Sequence, residues 1–214
     1  MAAVPGSTSR LALAALVVVA TGCSAGSAAP AEPAPATSGA STPPTSTPVS
    51  TTATDPALRD ELLAMLAADQ ADRQEAEPDI GAERARTERL RRIVAERGWP
   101  TRTLVGHDGA TAAWAIAQHS DLDPQFQRQA LDLLRAAVAA GEADPGELAY
   151  LVDRVAANAG QPQTYGTQMG CTDDGRPQLA PLAEPDRVDA LRAEAGLPPL
   201  ADYLAELAEV CASS

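Results

Sequence analysis

Beyond residue 55 the chain places apolar residues at a period near 3.6, the mark of helices with one buried face. Leu58, Leu62, Met65 and Leu66 form one stripe. Leu90 and Val94 form a thinner one in an Arg-rich stretch, and Leu131, Leu134 and Val138 form a third. Leu148, Leu151, Val152 and Val155 follow; Val188 with Leu191, then Leu204, Leu207 and Val210, close the series. Between the stripes lie helix boundaries. Asp55-Pro56, Asp123-Pro124 and Asp144-Pro145 each set a capping carboxylate before a proline at the first helical position. Glu147, three residues after Asp144, gives the capping-box spacing. Gly98, Gly141, Gly160 and Gly196 stand where a left-handed C-terminal cap is wanted. From Thr164 to Leu182 the helical period is lost and Asp174-Gly175 signals a tight turn, so a small β-hairpin or an ordered loop is expected there. The pattern predicts a mainly α fold: one compact domain of about six or seven helices over residues 55–214.

The first 54 residues follow other rules. Arg10 and the ten-residue apolar run Leu11 to Ala20 have the layout of an export signal over residues 1–22. The run is too short to span a bilayer. Ala20-Thr21-Gly22 before Cys23 looks like a bacterial lipobox, with Ala where Leu is commoner, which implies cleavage and a lipid on the Cys23 sulfur. The alternative is an ordinary secretory signal with a chance cysteine nearby. Of residues 24–54, 27 are Ala, Pro, Ser or Thr and only Glu32 is charged, so 23–54 reads as a lipidated cysteine and a disordered tether.

Charge narrows the partners. There are 16 basic residues, all Arg, against 29 acidic ones, a net charge of −13. Nucleic acid needs a basic face, and no nucleic-acid role is expected. Adhesion to anionic lipid is equally disfavoured, so the membrane is reached through the Cys23 lipid alone. The expected location is the extracytoplasmic face of the cell membrane. In that oxidising setting Cys171 and Cys211 form an even pair, read as a disulfide; two free thiols are the alternative. No metal site and no cofactor is expected.

The candidate chemistry lies in polar residues that continue an apolar stripe. Leu58, Leu62 and Leu66 run on to Asp69 and Arg73, four apart, with Gln70 beside them. They make either a site or a structural ion pair. His119 follows Ala112, Ala115 and Ile116 at helical steps, with Gln118 before it and Asp121 and Asp123 after it. It is a candidate general base with a carboxylate to orient it; otherwise it serves the carbonyls of a helix C-terminus. Asp153 and Arg154 share a helix with Tyr150, and Tyr165 and Gln168 lie in an amide-rich loop that can orient a neutral ligand or satisfy its own backbone. The candidates are therefore His119, Asp69, Asp121 and Asp153 for catalysis, and Arg73, Gln118, Arg154, Tyr165 and Gln168 for binding.

Asp69-Gln70-x-x-Arg73, Gly98-Trp99-Pro100, Trp114 with Gln118-His119-x-Asp121, Tyr150-Leu151-x-Asp153-Arg154, Tyr165-Gly166-Thr167-Gln168 and Gly196-Leu197-Pro198-Pro199-Leu200 together resemble a bacterial domain-of-unknown-function family. The resemblance spans nearly all of residues 56–205 and implies one domain, but no activity. The Cys171–Cys211 pair is not part of it. The leading expectation is a lipid-anchored domain that binds an envelope ligand or partner without catalysis. The alternative is a hydrolase-like enzyme using His119 with nearby carboxylates, and a third is a scaffold.

Overall fold

The computed structural model describes residues 53–213. The expected leader over 1–22, Cys23 and the tether up to residue 52 lie outside the described residues. Seven α-helices run in chain order: α1 Pro56–Arg73, α2 Ile80–Arg97, α3 Arg102–Gln118, α4 Pro124–Ala139, α5 Pro145–Asn158, α6 Val188–Glu194 and α7 Leu200–Cys211. Between α5 and α6 sits an antiparallel hairpin, β1 Met169–Cys171 with β2 Pro177–Leu179, whose register pairs Gly170 with Gln178. The domain is mainly α, as the apolar period requires.

The boundaries follow from capping chemistry. Asp55, Asp123 and Asp144 each accept backbone N–H bonds in the first turn of α1, α4 and α5, supplying acceptors for donors that a helix start otherwise leaves unpaired. Asp79 and Thr101 do the same for α2 and α3. The chain enters α1 already fastened: Thr54 N and Asp55 N donate to the carbonyls of Thr103 and Leu104 at 3.2 and 2.8 Å. Gly106, at φ 76°, breaks the first turn of α3 from the rest of that helix. A side chain there would be strained, and its absence lets the Arg59 stem pass 3.6 Å from where a Cβ would sit.

Helix α3 is the spine. Ala110, Ala112, Ala113, Ala115, Ile116 and Ala117 are buried, so α1, α2, α4 and α5 all pack on it. Leu62 of α1, Leu90 and Ile93 of α2, Phe126 and Leu134 of α4 and Leu151 of α5 complete the core. Small residues on the central helix allow close approach from several sides, which is how a chain with one Phe and two Trp fills its interior. No helix among the described residues is long and apolar enough to cross a membrane.

The non-helical segment is held from two directions. Asp153, fully buried, accepts bonds from the backbone N–H groups of Thr164, Tyr165 and Thr167 at 2.6 to 3.1 Å and from the Thr167 hydroxyl at 3.0 Å. Gln163 clamps the same loop, donating to the carbonyls of Gln168 and Ala180 and accepting from Gln168 N. Cys171 on β1 is bonded to Cys211 at the end of α7, Cα atoms 5.4 Å apart. The disulfide joins the hairpin to the last helix.

Candidate functional site

Where α1, α2 and α3 meet, Asp69 and His119 are 1% and 2% exposed. Asp69 comes from the last turn of α1, and His119 is the C-terminal cap of α3. His119 Nδ1 lies 2.6 Å from Asp69 Oδ2. So close an approach to a carboxylate assigns the imidazole proton to Nδ1, which donates it to Asp69. Nε2 is then the nitrogen with the free lone pair, and it has no hydrogen-bond partner among the described residues. Arg73 Nε lies 3.2 Å from the same carboxylate oxygen and 3.0 Å from His119 Nδ1. Gln70 Nε2 donates to Asp69 Oδ2 as well, at 3.2 Å.

With Nδ1 protonated, the bond Arg73 makes here is the one from Nε to the Asp69 carboxylate, and its side chain is 28% exposed. Its two terminal nitrogens carry no ion pair or hydrogen bond among the described residues. The other face of Asp69 meets Arg86 of α2, Nε to Oδ1 at 3.5 Å, and Arg86 also holds Asp72 at 2.7 Å. Burial by itself would raise the Asp69 carboxyl; the His119 and Arg73 contacts override it and hold the carboxyl below its ordinary value. Burial also lowers the His119 imidazole, as do the positive charges of Arg73 and Arg154, against the opposing pull of Asp69. The imidazole is therefore neutral near pH 7, the state in which Nε2 can accept a hydrogen bond or a proton.

A second cluster adjoins the first. Arg154 of α5 grips Asp121 with two bonds, Nε to Oδ1 at 3.0 Å and Nη2 to Oδ2 at 2.8 Å, and gives Nη1 to Gln168 Oε1 at 3.2 Å. Asn158 and Gln127 also donate to Asp121, at 2.8 and 3.2 Å. Burial raises the carboxyl of Glu83 on α2 above the ordinary range, against an opposing influence of the Leu122 backbone. Its Oε1 is buried without a partner.

The structure brings Asp69, Arg73 and His119 into direct contact, with Asp121, Arg154 and Gln168 forming the neighbouring network. Gln118 is adjacent along α3 and fully buried. Asp153 and Tyr165 do something else. Asp153 spends both oxygens on the 164–167 backbone, and none of its bonds is to His119. Tyr165 serves through its main chain, whose carbonyl accepts from Arg192 at 2.8 Å. Gln168 divides its amide between Arg154, the Tyr150 carbonyl and the Thr167 hydroxyl. Asp121 binds Arg154 rather than His119.

Glu83 and Arg86 were not expected at the site. A signal existed: Glu83, Thr87, Leu90 and Val94 share one helical face, and Arg86 is in step with Leu90 and Ile93. Thr87, buried, donates to Ser120 at 3.0 Å beside His119. Two open hollows, of about 480 and 270 Å³, lie at Trp99 with Leu104 and at Thr87 with Leu122, and His119 lines neither. Among the described residues no group of three or more His, Cys, Asp or Glu could hold a metal ion.

The model of a family described as a family of unknown function (DUF6624) matches residues 56–212. No curated protein and no solved structure matches the chain.

Proposed function

We propose, for a chain that belongs to the DUF6624 family of unknown function, a lipid-anchored protein of the extracytoplasmic face that binds a small polar ligand at Asp69, Arg73 and His119. One observation carries the binding site: two polar groups are held in place and left unused. Asp69 fixes the imidazole through Nδ1 at 2.6 Å and Arg73 through Nε at 3.2 Å. The groups facing outward from these bonds are the His119 Nε2 lone pair and the Arg73 terminal N–H groups. An acceptor beside a forked cation suits a ligand with both a donor and an anionic oxygen. Convergent polar groups on rigid helices are how small-molecule sites obtain orientation. The anchor rests on the apolar run Leu11 to Ala20 and the small residues before Cys23. An acyl chain there gains ~0.8 kcal/mol per buried methylene.

A thermal-shift screen of the full chain against small polar anions, repeated with His119→Ala, tests the site. The expected result is a compound that raises Tm in the parent and not in the variant. A compound that stabilises both equally places binding elsewhere.

The 2.6 Å dyad also supports a second reading, a hydrolase in which His119 Nε2 takes a proton from water while Asp69 stabilises the imidazolium. Mass spectrometry of the bound compound after incubation separates the two readings. Intact ligand favours binding; a product lost in His119→Gln favours catalysis.

A further inference from the structure

Three polar atoms on α3, in the turns leading to His119, take no part in the Asp69–His119 pair. Trp114 and Gln118 lie one turn apart on α3 and are 7% and 1% exposed. Trp114 Nε1 and both carboxamide atoms of Gln118 are buried with no hydrogen-bond partner. The residues around them, Ala112, Ala113, Ala115, Ile116 and Ala117, show that this stretch of α3 otherwise takes apolar side chains. An unpartnered buried amide carries the full desolvation penalty of its polar atoms, which a leucine of similar size avoids. Retaining three such atoms on one face of the helix that His119 caps calls for a partner that supplies their bonds.

The surroundings fix where that partner sits. Tyr150 of α5 meets Trp114 edge-on with ring centroids 6.1 Å apart. Arg154 stands one turn further along α5, near enough that its charge acts on His119. The seam between α3 and α5 thus runs from the aromatic pair to the imidazole.

Resting on the reading above, we infer that Trp114 and Gln118 form the amide-recognising half of the His119 site. Its ligand class is then a short peptide or acylated amino acid bearing an amide and a carboxylate. A carboxamide presents one donor and one acceptor side by side, which a second amide complements pairwise. The indole N–H supplies another donor for the ligand carbonyl. An inorganic anion would engage the donors and leave Gln118 Oε1 alone, and a single hydroxyl meets the two amide atoms poorly. The carboxylate goes to the free terminal nitrogens of Arg73, which fit it in a two-pronged contact. The three atoms are sealed from solvent, so entry parts the α3–α5 seam, and association is slower than docking to an open site.

The test titrates the full chain in detergent with N-acetyl-Ala-Ala, with the same compound carrying an ester in place of its inner amide, and with inorganic phosphate. The readouts are the Trp114 indole N–H and the His119 ring signals by NMR. N-acetyl-Ala-Ala is expected to move both, with at least tenfold weaker binding for the ester and for Gln118→Leu. Gln118→Leu is also expected to melt at a higher temperature, since it removes two orphaned atoms. If His119 responds while Trp114 does not, or phosphate competes as well as the peptide, the amide assignment is overturned and the small-ligand site stands. If Gln118→Leu melts lower, the amide is satisfied in solution and the inference fails by itself. If no probe moves either signal, both readings fall.

Discussion

Glu147, whose Oε1 accepts from Thr111 Oγ1 at 2.5 Å, is a half-buried carboxyl pushed up from 4.5 to about 7, chiefly by desolvation. Its folded form binds a proton more tightly than the unfolded chain does. The stability this contributes is fully present below pH 4.5 and is lost as pH rises through 7, on the order of 3 kcal/mol in all. Glu147→Gln mimics the protonated state, so Tm should rise at pH 8 and stay unchanged at pH 4; equal shifts at both would show that burial is not the cause. Asp69 works in the other direction, because its charge holds His119, Arg73 and Arg86 together. Asp69→Asn should cost roughly 3–5 kcal/mol at pH 7, as breaking a buried ion pair does, read from urea unfolding. Half of this site was legible in the chain. Asp69, Arg73 and His119 stood out because they continue apolar stripes. Glu83 and Arg86 did not, since α2 holds seven other Arg and Glu residues that face water or pair at its surface. Asp153 read as a candidate base partner, and only the folded loop reveals the backbone N–H groups that claim it.

At the scale of elements, local chemistry wrote the boundaries plainly. An Asp-Pro pair fixes φ and supplies a cap in two residues, so α1, α4 and α5 begin where the sequence marks them. The hairpin was equally marked by Asp174-Gly175, with Gly175 at φ 74°. Non-local pairings left no such trace. The parallel bridge between Gln163 and Leu182 and the clamp by Asp153 need a partner distant in the chain, and no period or turn signal encodes one. The Cys171–Cys211 disulfide is the exception, a long-range tie that the even cysteine pair did announce. It spans 40 residues and contributes about 4 kcal/mol on the chain-entropy account. Cys171→Ser with Cys211→Ser should lower stability by about that amount, by calorimetry under oxidising conditions. The loss should concentrate in α7 and the hairpin, seen as faster amide exchange there than at α3.

At the scale of the whole molecule, surface charge and the proposed anchor bear on the same question of membrane retention. With a net charge of −13, the protein surface should be repelled by anionic lipid, so under the proposed anchoring any retention at a membrane falls to Cys23. Cys23→Ser should shift the full chain from the membrane fraction to the soluble one, whereas 1 M salt should release none of the parent. Retention that survives the substitution would place the anchor elsewhere. The anchor and the ligand site are independent in this scheme. His119→Ala should leave fractionation unchanged.

The fastening at the start of α1 has a mechanical consequence. Any tension applied through the N-terminal end enters the domain at Thr54 and Asp55, whose bonds to Thr103 and Leu104 form a short clasp against α3. Once that clasp slips, the load runs directly along α1, the rod whose far end carries Asp69 and Arg73. The C-terminal helix, bolted to the hairpin by sulfur, has no part in that clasp. Stretching would therefore disturb the imidazole's carboxylate partner before it disturbed the rest of the molecule.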